Sequence, residues 1–110
     1  MVKFVVSKNK NGEYQFNLIL ENGKVILTGG GFSDRASCEK AIDSVRNYAR
    51  DYSRYERKTS SENKSYFNLK SGNGKVIATS ELYDAASGRD SGVASVNQFA
   101  PTAKIEDITE

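Results

Sequence analysis

The chain has 110 residues, a formal net charge of +2, 37% hydrophobic residues and 27% charged ones. A chain this long holds a single core of ordinary size, and so small a charge does not by itself require a polyanionic partner. There is no histidine and only one cysteine, which removes Ser-His and Cys-His nucleophile activation, the commonest metal ligand and any intramolecular disulfide.

In chain order, Lys3-Phe4-Val5-Val6-Ser7 reads as a first strand and Lys8 to Gly12 as a polar loop. The opening apolar run is too short for a signal peptide, and nothing later reaches the length of a membrane span. Together with the lone Cys38, this gives the cytoplasm as the expected location. Next come Phe16-Asn17-Leu18, Asn22-Gly23-Lys24-Val25-Ile26 and Thr28, and the same residues return 51 positions later as Phe67-Asn68-Leu69, Asn73-Gly74-Lys75-Val76-Ile77 and Thr79. An Asn-Gly pair between two strand-forming runs predicts a hairpin with a two-residue turn, both turn residues at positive φ. That register sets Leu20 opposite Val25, Leu18 opposite Leu27 and Asn17 opposite Thr28. Tyr14, Phe16, Leu18, Leu20, Val25 and Leu27 then face the core, while Gln15, Asn17, Ile19, Ile26 and Thr28 face the half-solvated side.

Gly29-Gly30-Gly31 is expected to end the hairpin, and Ser33 or Asp34 to cap a helix over 35–50. Cys38, Ala41, Ile42, Val45, Tyr48, Ala49 and Tyr52 recur at spacings of three and four, forming its apolar face. Residues 54–58 occupy the offset position of the first strand and are polar, as suits an edge. The second hairpin spans 66–70 and 75–79. A second helix carries Val93, Val96, Phe99 and Ala100, is expected to begin near Ser87 or Gly88, and is stopped by Pro101. Residues 103–108 form a third copy of the 3–7 strand. The reading is α+β: one domain, 1–110, made of two repeats, 1–53 and 54–110, with a single antiparallel-rich sheet whose core face is covered by both helices. Duplication within the chain supplies symmetry that a single copy would gain by dimerising, so a monomer is expected.

The run Gly74-Lys75-Val76-Ile77-Ala78-Thr79-Ser80-Glu81-Leu82-Tyr83, with Gly92-Val93-Ala94-Ser95-Val96 and Ala100-Pro101, resembles the YegP-like domain, a short bacterial repeat family of unknown function. The resemblance implies two tandem β-β-β-α-β units in one sheet that exchange their final strands, and it brings no catalytic residues with it. The first copy departs from the pattern, with Gly29-Gly30-Gly31-Phe32 in place of Ser80-Glu81-Leu82-Tyr83.

Residues that could carry chemistry are few. Cys38 falls on the apolar helix face and reads as a small core residue, the carboxylates are scattered, and the glycine run lacks the Gly-Lys-Ser/Thr of a phosphate loop. No enzyme activity, metal or cofactor is expected. Two binding surfaces stand out. On the non-core side of the hairpins, Asn17, Ile26, Thr28, Asn68, Ile77 and Thr79 form a duplicated set, which points to an interaction module, with another protein as the partner. Alternatively, Arg46, Arg50, Arg54, Arg57 and Lys58 interleave with tyrosines over 46–58, a composition suited to weak nucleic-acid binding.

Overall fold

The computed structural model describes residues 1–109. Strands β1 (Lys3–Lys8), β2 (Tyr14–Ile19) and β3 (Val25–Phe32) precede helix α1 (Arg35–Tyr48); β4 (Tyr55–Thr59), β5 (Ser65–Lys70) and β6 (Val76–Thr79) precede helix α2 (Ala86–Phe99), and β7 (Lys104–Asp107) follows. They form one sheet in the order β4-β5-β6-β3-β2-β1-β7. Every neighbouring pair is antiparallel except β1 and β7, which are parallel. Strand exchange is therefore direct. Helix α1 leaves β3 in the middle of the sheet and delivers β4 to the far edge of the second repeat, and α2 leaves β6 and delivers β7 to the edge of the first.

The turns differ from the expected two-residue form. Gly23 N–H donates to the Leu20 carbonyl at 2.9 Å and Leu20 N–H to that of Lys24 at 2.9 Å, so the loop holds three residues. Only its last, Gly23 (φ +83°), stands at positive φ, and Asn22 instead accepts from Lys24 N–H through its side chain at 2.9 Å. Ser71 to Lys75 repeats the arrangement around Gly74 (φ +84°). The extra loop residue shifts the register by one, pairing Ile19 with Val25, and a bulge at Ile26 restores it, so Leu18 still meets Leu27 and Asn17 still meets Thr28. The second hairpin does the same: Lys70 meets Val76, and Ile77 is the extra residue before Leu69 meets Ala78.

The bulge turns two successive side chains towards the helices. Ile26 is only 2% exposed and Ile77 packs against the core, whereas Val25 joins Ile19 on the open side. The placement of Ile26 and Ile77 on the open face, and of Val25 in the core, is thereby corrected. Strand β3 also continues through the three glycines to Phe32 instead of ending at them.

Both helices carry most of the expected apolar residues inward, but Phe99, in the last turn of α2, is 37% exposed. Cys38, Ile42, Val45 and Ala49 are fully buried on one side and Val93, Val96 and Ala100 on the other, all in a single cluster with Phe4, Phe16, Leu18, Phe67 and Leu69. Burying an aromatic such as Phe16 contributes about 1.5–3 kcal/mol. Tyr52 is 55% exposed because α1 ends at Tyr48 and a turn of 3-10 helix carries Tyr52 outward. Asp34 caps α1, accepting from Ser37 N–H at 2.7 Å. Helix α2 starts at Ala86, slightly earlier than expected, and Ala85 gives it no side-chain cap.

The glycines of α2 make room for Tyr83. A Cβ on Gly92 would lie 2.5 Å from the Tyr83 hydroxyl and 3.3 Å from the Phe67 ring, and one on Gly88 would lie 3.3 Å from Tyr83 Cδ1. The Tyr83 hydroxyl is buried without a hydrogen-bond partner among the described residues. Gly92→Ala is therefore expected to destabilise the protein by about 1–3 kcal/mol in denaturant melts despite the better helix propensity of alanine. Tyr83→Phe should cost nothing or stabilise, and should recover part of the loss in the double variant. Equal loss with and without the hydroxyl would refute the clash as its cause.

Candidate functional site

The sheet face away from the helices carries one continuous row of paired residues. Register places Glu106, Val5, Asn17, Thr28, Thr79, Asn68 and Glu56 side by side across β7, β1, β2, β3, β6, β5 and β4. Thr28 meets Thr79 at the seam between the repeats. The Thr28 hydroxyl donates to Asn17 Oδ1 at 2.9 Å, and the Thr79 hydroxyl donates to Asn68 Oδ1 at 2.8 Å. All four side chains are half-buried. Each asparagine amide is thus held with a fixed orientation, its NH₂ end left to reach outward or along the row.

At one end Asn68 Nδ2 donates to Glu56 Oε1 at 3.1 Å, and Lys70 Nζ reaches Glu56 Oε2 at 3.1 Å. The Asn68 amide first, and Lys70 next, hold the Glu56 carboxyl below its ordinary range. At the other end Lys3 Nζ pairs with Glu106 at 2.7 Å. Apolar residues border the row: Val5, only 8% exposed, within it, Ile19 and Val25 on one side of the seam, and Val76, 43% exposed, on the other. Polar contacts therefore order a surface whose centre belongs to both repeats.

Of the six residues expected here, the structure unites Asn17, Thr28, Asn68 and Thr79 and sends Ile26 and Ile77 to the helix side. Glu56 and Glu106 were missed. They show in the sequence only as isolated acids in polar strands, and register alone reveals their place.

The five basic residues do not share one surface. Arg46 lies over the Phe4 ring at 5.6 Å and donates to the Ala103 carbonyl at 2.5 Å and to Asp43 at 3.1 Å. Arg54 stacks over Tyr48 at 5.7 Å beside Asp51. Arg57 pairs with Asp90 of α2 at 3.0 Å, so it faces the helices, while Lys58, next along β4, faces the open side. Arg50 is exposed just beyond α1. Paired cations have less charge to offer a phosphate backbone.

Elsewhere, burial pushes the Cys38 thiol up to about 11, with Glu39 and Asp107 adding to the rise. A shallow cleft of about 390 Å³ lies beside the glycine run, between Phe32, Ala41, Lys75 and Val76. Among the described residues no cluster of histidine, cysteine, aspartate or glutamate is arranged to hold a metal ion, and no helix is long and apolar enough to cross a membrane.

Two copies of a short α+β repeat sharing one sheet define the class of this protein, and both match the same family model, a domain of unknown function (DUF1508), over residues 9–56 and 60–107. The chain belongs to that family. Among its relatives, the UPF0339 protein in the ptx operon 5′ region of Stutzerimonas stutzeri is 41% identical over 105 residues, covering 96% of this chain and 95% of its own. The UPF0339 protein YegP of Escherichia coli K12 is 39% identical over 106 residues, 96% of each chain. The solution NMR structure of E. coli yegP, described as a protein of unknown function, matches with a TM-score of 0.92 at 38% identity, over 98% of this chain and 93% of that one. A UPF0339 protein of Shewanella oneidensis matches with a TM-score of 0.91 at 33% identity, over 98% and 92%. The YegP-like resemblance and the fold it implied both hold, and these relatives share unknown function as well.

Three outcomes test this description. Thr28→Val or Thr79→Val should each cost about 0.5–1.5 kcal/mol, read from denaturant midpoints, with a non-additive double variant because the two threonines meet. Because the folded Glu56 carboxyl titrates below its unfolded value, its contribution is complete above the ordinary glutamate range and lost as pH falls through the folded value. Glu56→Gln should flatten the acid limb of the stability profile. Native Cys38 should resist thiol reagents at pH ~8 and react only on unfolding; rapid labelling of the folded protein would contradict its burial.

Proposed function

We propose that the protein is a non-enzymatic interaction module, acting as a cytoplasmic monomer, whose binding surface is the open sheet face around Asn17, Thr28, Asn68 and Thr79. The observation that carries this reading is the continuity of the row through the Thr28–Thr79 seam, with mirrored Asn-Thr hydrogen bonds on either side. Rigidly held amides bordered by Val25 and the exposed Val76 combine directional polar groups with apolar area, the composition of a protein-recognition surface. The one thiol is buried, which argues against a cysteine nucleophile.

Affinity capture from a lysate of the source cell, with and without nuclease, tests the reading, using the wild-type chain and a Val25→Glu/Val76→Glu variant as baits. The expected result is a protein partner that survives nuclease and is lost with the variant. Loss of all captured material on nuclease treatment, or retention of every partner by the variant, would overturn it; the first outcome would move the site to the basic residues of 46–58.

A further inference from the structure

We propose that the outer edge of β4 is a second binding site, one that takes an extended acidic peptide as an eighth strand running parallel to β4. The template for this site is in the chain itself. Strand β1 pairs with β2 through Val6 and Phe16, and β4 pairs with β5 through Arg57 and Phe67. At the offset of 51, Phe4, Val5 and Val6 thus correspond to Tyr55, Glu56 and Arg57. On the outer side of β1 lies β7, parallel to it. Among the described residues no strand lies on the outer side of β4. The repeat therefore builds the same strand-accepting edge twice and fills one of the two.

The hydrogen-bonding groups of β4 are set out for such a strand. Phe67 N–H donates to Ser80 Oγ at 2.9 Å and its carbonyl accepts from Ser80 N–H at 2.9 Å. Ser65 exchanges both main-chain bonds with Tyr83, at 2.8 and 2.7 Å. The main-chain groups of Ser65 and Phe67 accordingly point towards β6, leaving those of Tyr66 and Asn68 to bond β4. Their partners in register, Lys58 and Glu56, spend their N–H and C=O groups on β5. Arg57 and Thr59, opposite Phe67 and Ser65, turn theirs outward. The same geometry is in use in the first repeat, where the carbonyl of Val6, the counterpart of Arg57, accepts from Ile108 N–H at 2.9 Å.

Charge selects the occupant. β7 is held on the open face by Glu106 against Lys3 at 2.7 Å and at its far end by Asp107 against Arg35 at 2.6 Å. The counterpart of Lys3 is Arg54, beside Asp51, and the edge of β4 adds the exposed Lys58 and Arg57, which shares Asp90 with Arg89, so that cations outnumber carboxylates along this edge. The charge of Glu56 is matched within the sheet by Lys70. Such an edge prefers a strand that carries carboxylates, while main-chain bonds provide affinity along its length.

The probe is a synthetic peptide with the sequence of residues 103–109, Ala-Lys-Ile-Glu-Asp-Ile-Thr, titrated into ¹⁵N-labelled full-length protein. Amide shifts should move within 55–59. Arg57→Pro removes the outward N–H and leaves the β4–β5 bonds intact, so it should weaken binding about tenfold or more, whereas Arg57→Ala, which removes only the charge, should weaken it about threefold or less. Should Arg57→Pro fail to fold, Thr59→Pro removes the next outward N–H. A peptide with Lys in place of Glu and Asp should bind about tenfold more weakly than the acidic one. Shifts confined to 3–8, which would mean displacement of β7, no shifts at all, or equal binding by the proline variant would each overturn the proposal. Because the probe reads the sheet edge, its failure leaves the open-face reading untouched, and the reverse is also true.

Discussion

Everything in this molecule depends on the antiparallel meeting of β3 and β6, where Thr28 faces Thr79. The seam is short, yet it turns two small hairpin sheets into one and lets a single hydrophobic cluster form beneath them. Neither half could bury enough surface alone. Phe16 lies over the join: a Cβ on Gly29 would fall 2.4 Å from its ring and 3.1 Å from the Ile77 carbonyl. The absent side chain at Gly29 thus leaves room for the Phe16 ring of its own repeat, with the Ile77 carbonyl of the second repeat alongside.

The two copies have solved the same packing problem with different residues. In the first, Phe32 stacks on Phe16 with ring centroids 6.3 Å apart, and the helix opposite carries Ala41. In the second, Tyr83 turns onto α2, and Gly88 and Gly92 open the helix surface to receive it. Lys24, in the first hairpin turn, then lies 5.3 Å over the Tyr83 ring. What appears in the sequence as a weaker helix with two glycines is a fitted surface, in which helix propensity yields to close approach.

Much of this was legible in the sequence. The offset of 51 gave the repeat and the second helix, spacings of three and four gave the first helix, and the polar composition of residues 54–58 marked an edge strand. The hairpin register was also read correctly at Asn17 and Thr28, though for an incomplete reason. A longer turn and a bulge, each shifting the pairing by one residue, cancel before that point. Nothing local announces them, because Val25, Ile26 and Leu27 are all apolar and carry no alternation to show which neighbours share a side. Ile26 and Ile77 were misplaced for that reason, while the polar Asn17, Thr28, Asn68 and Thr79 were not. The seam itself was beyond reach, since pairing between β3 and β6 is fixed by tertiary packing and leaves no mark in either hairpin. Composition likewise overstated the basic run: only side-chain geometry shows Arg46 against a carbonyl and Arg57 against Asp90.

The pairing of β7 with β1 has a temporal side. During synthesis the first strand leaves the ribosome early, but the strand that completes its edge follows both hairpins and both helices, so until it emerges the chain carries an open, parallel-accepting edge along Phe4 and Val6. Contacts between such distant parts of the chain form slowly, and an unpaired edge is where growing chains pair with each other. Lys3 and Lys8 on that strand, both charged and at least partly exposed, keep like chains apart until the strand carrying Glu106 arrives to meet Lys3.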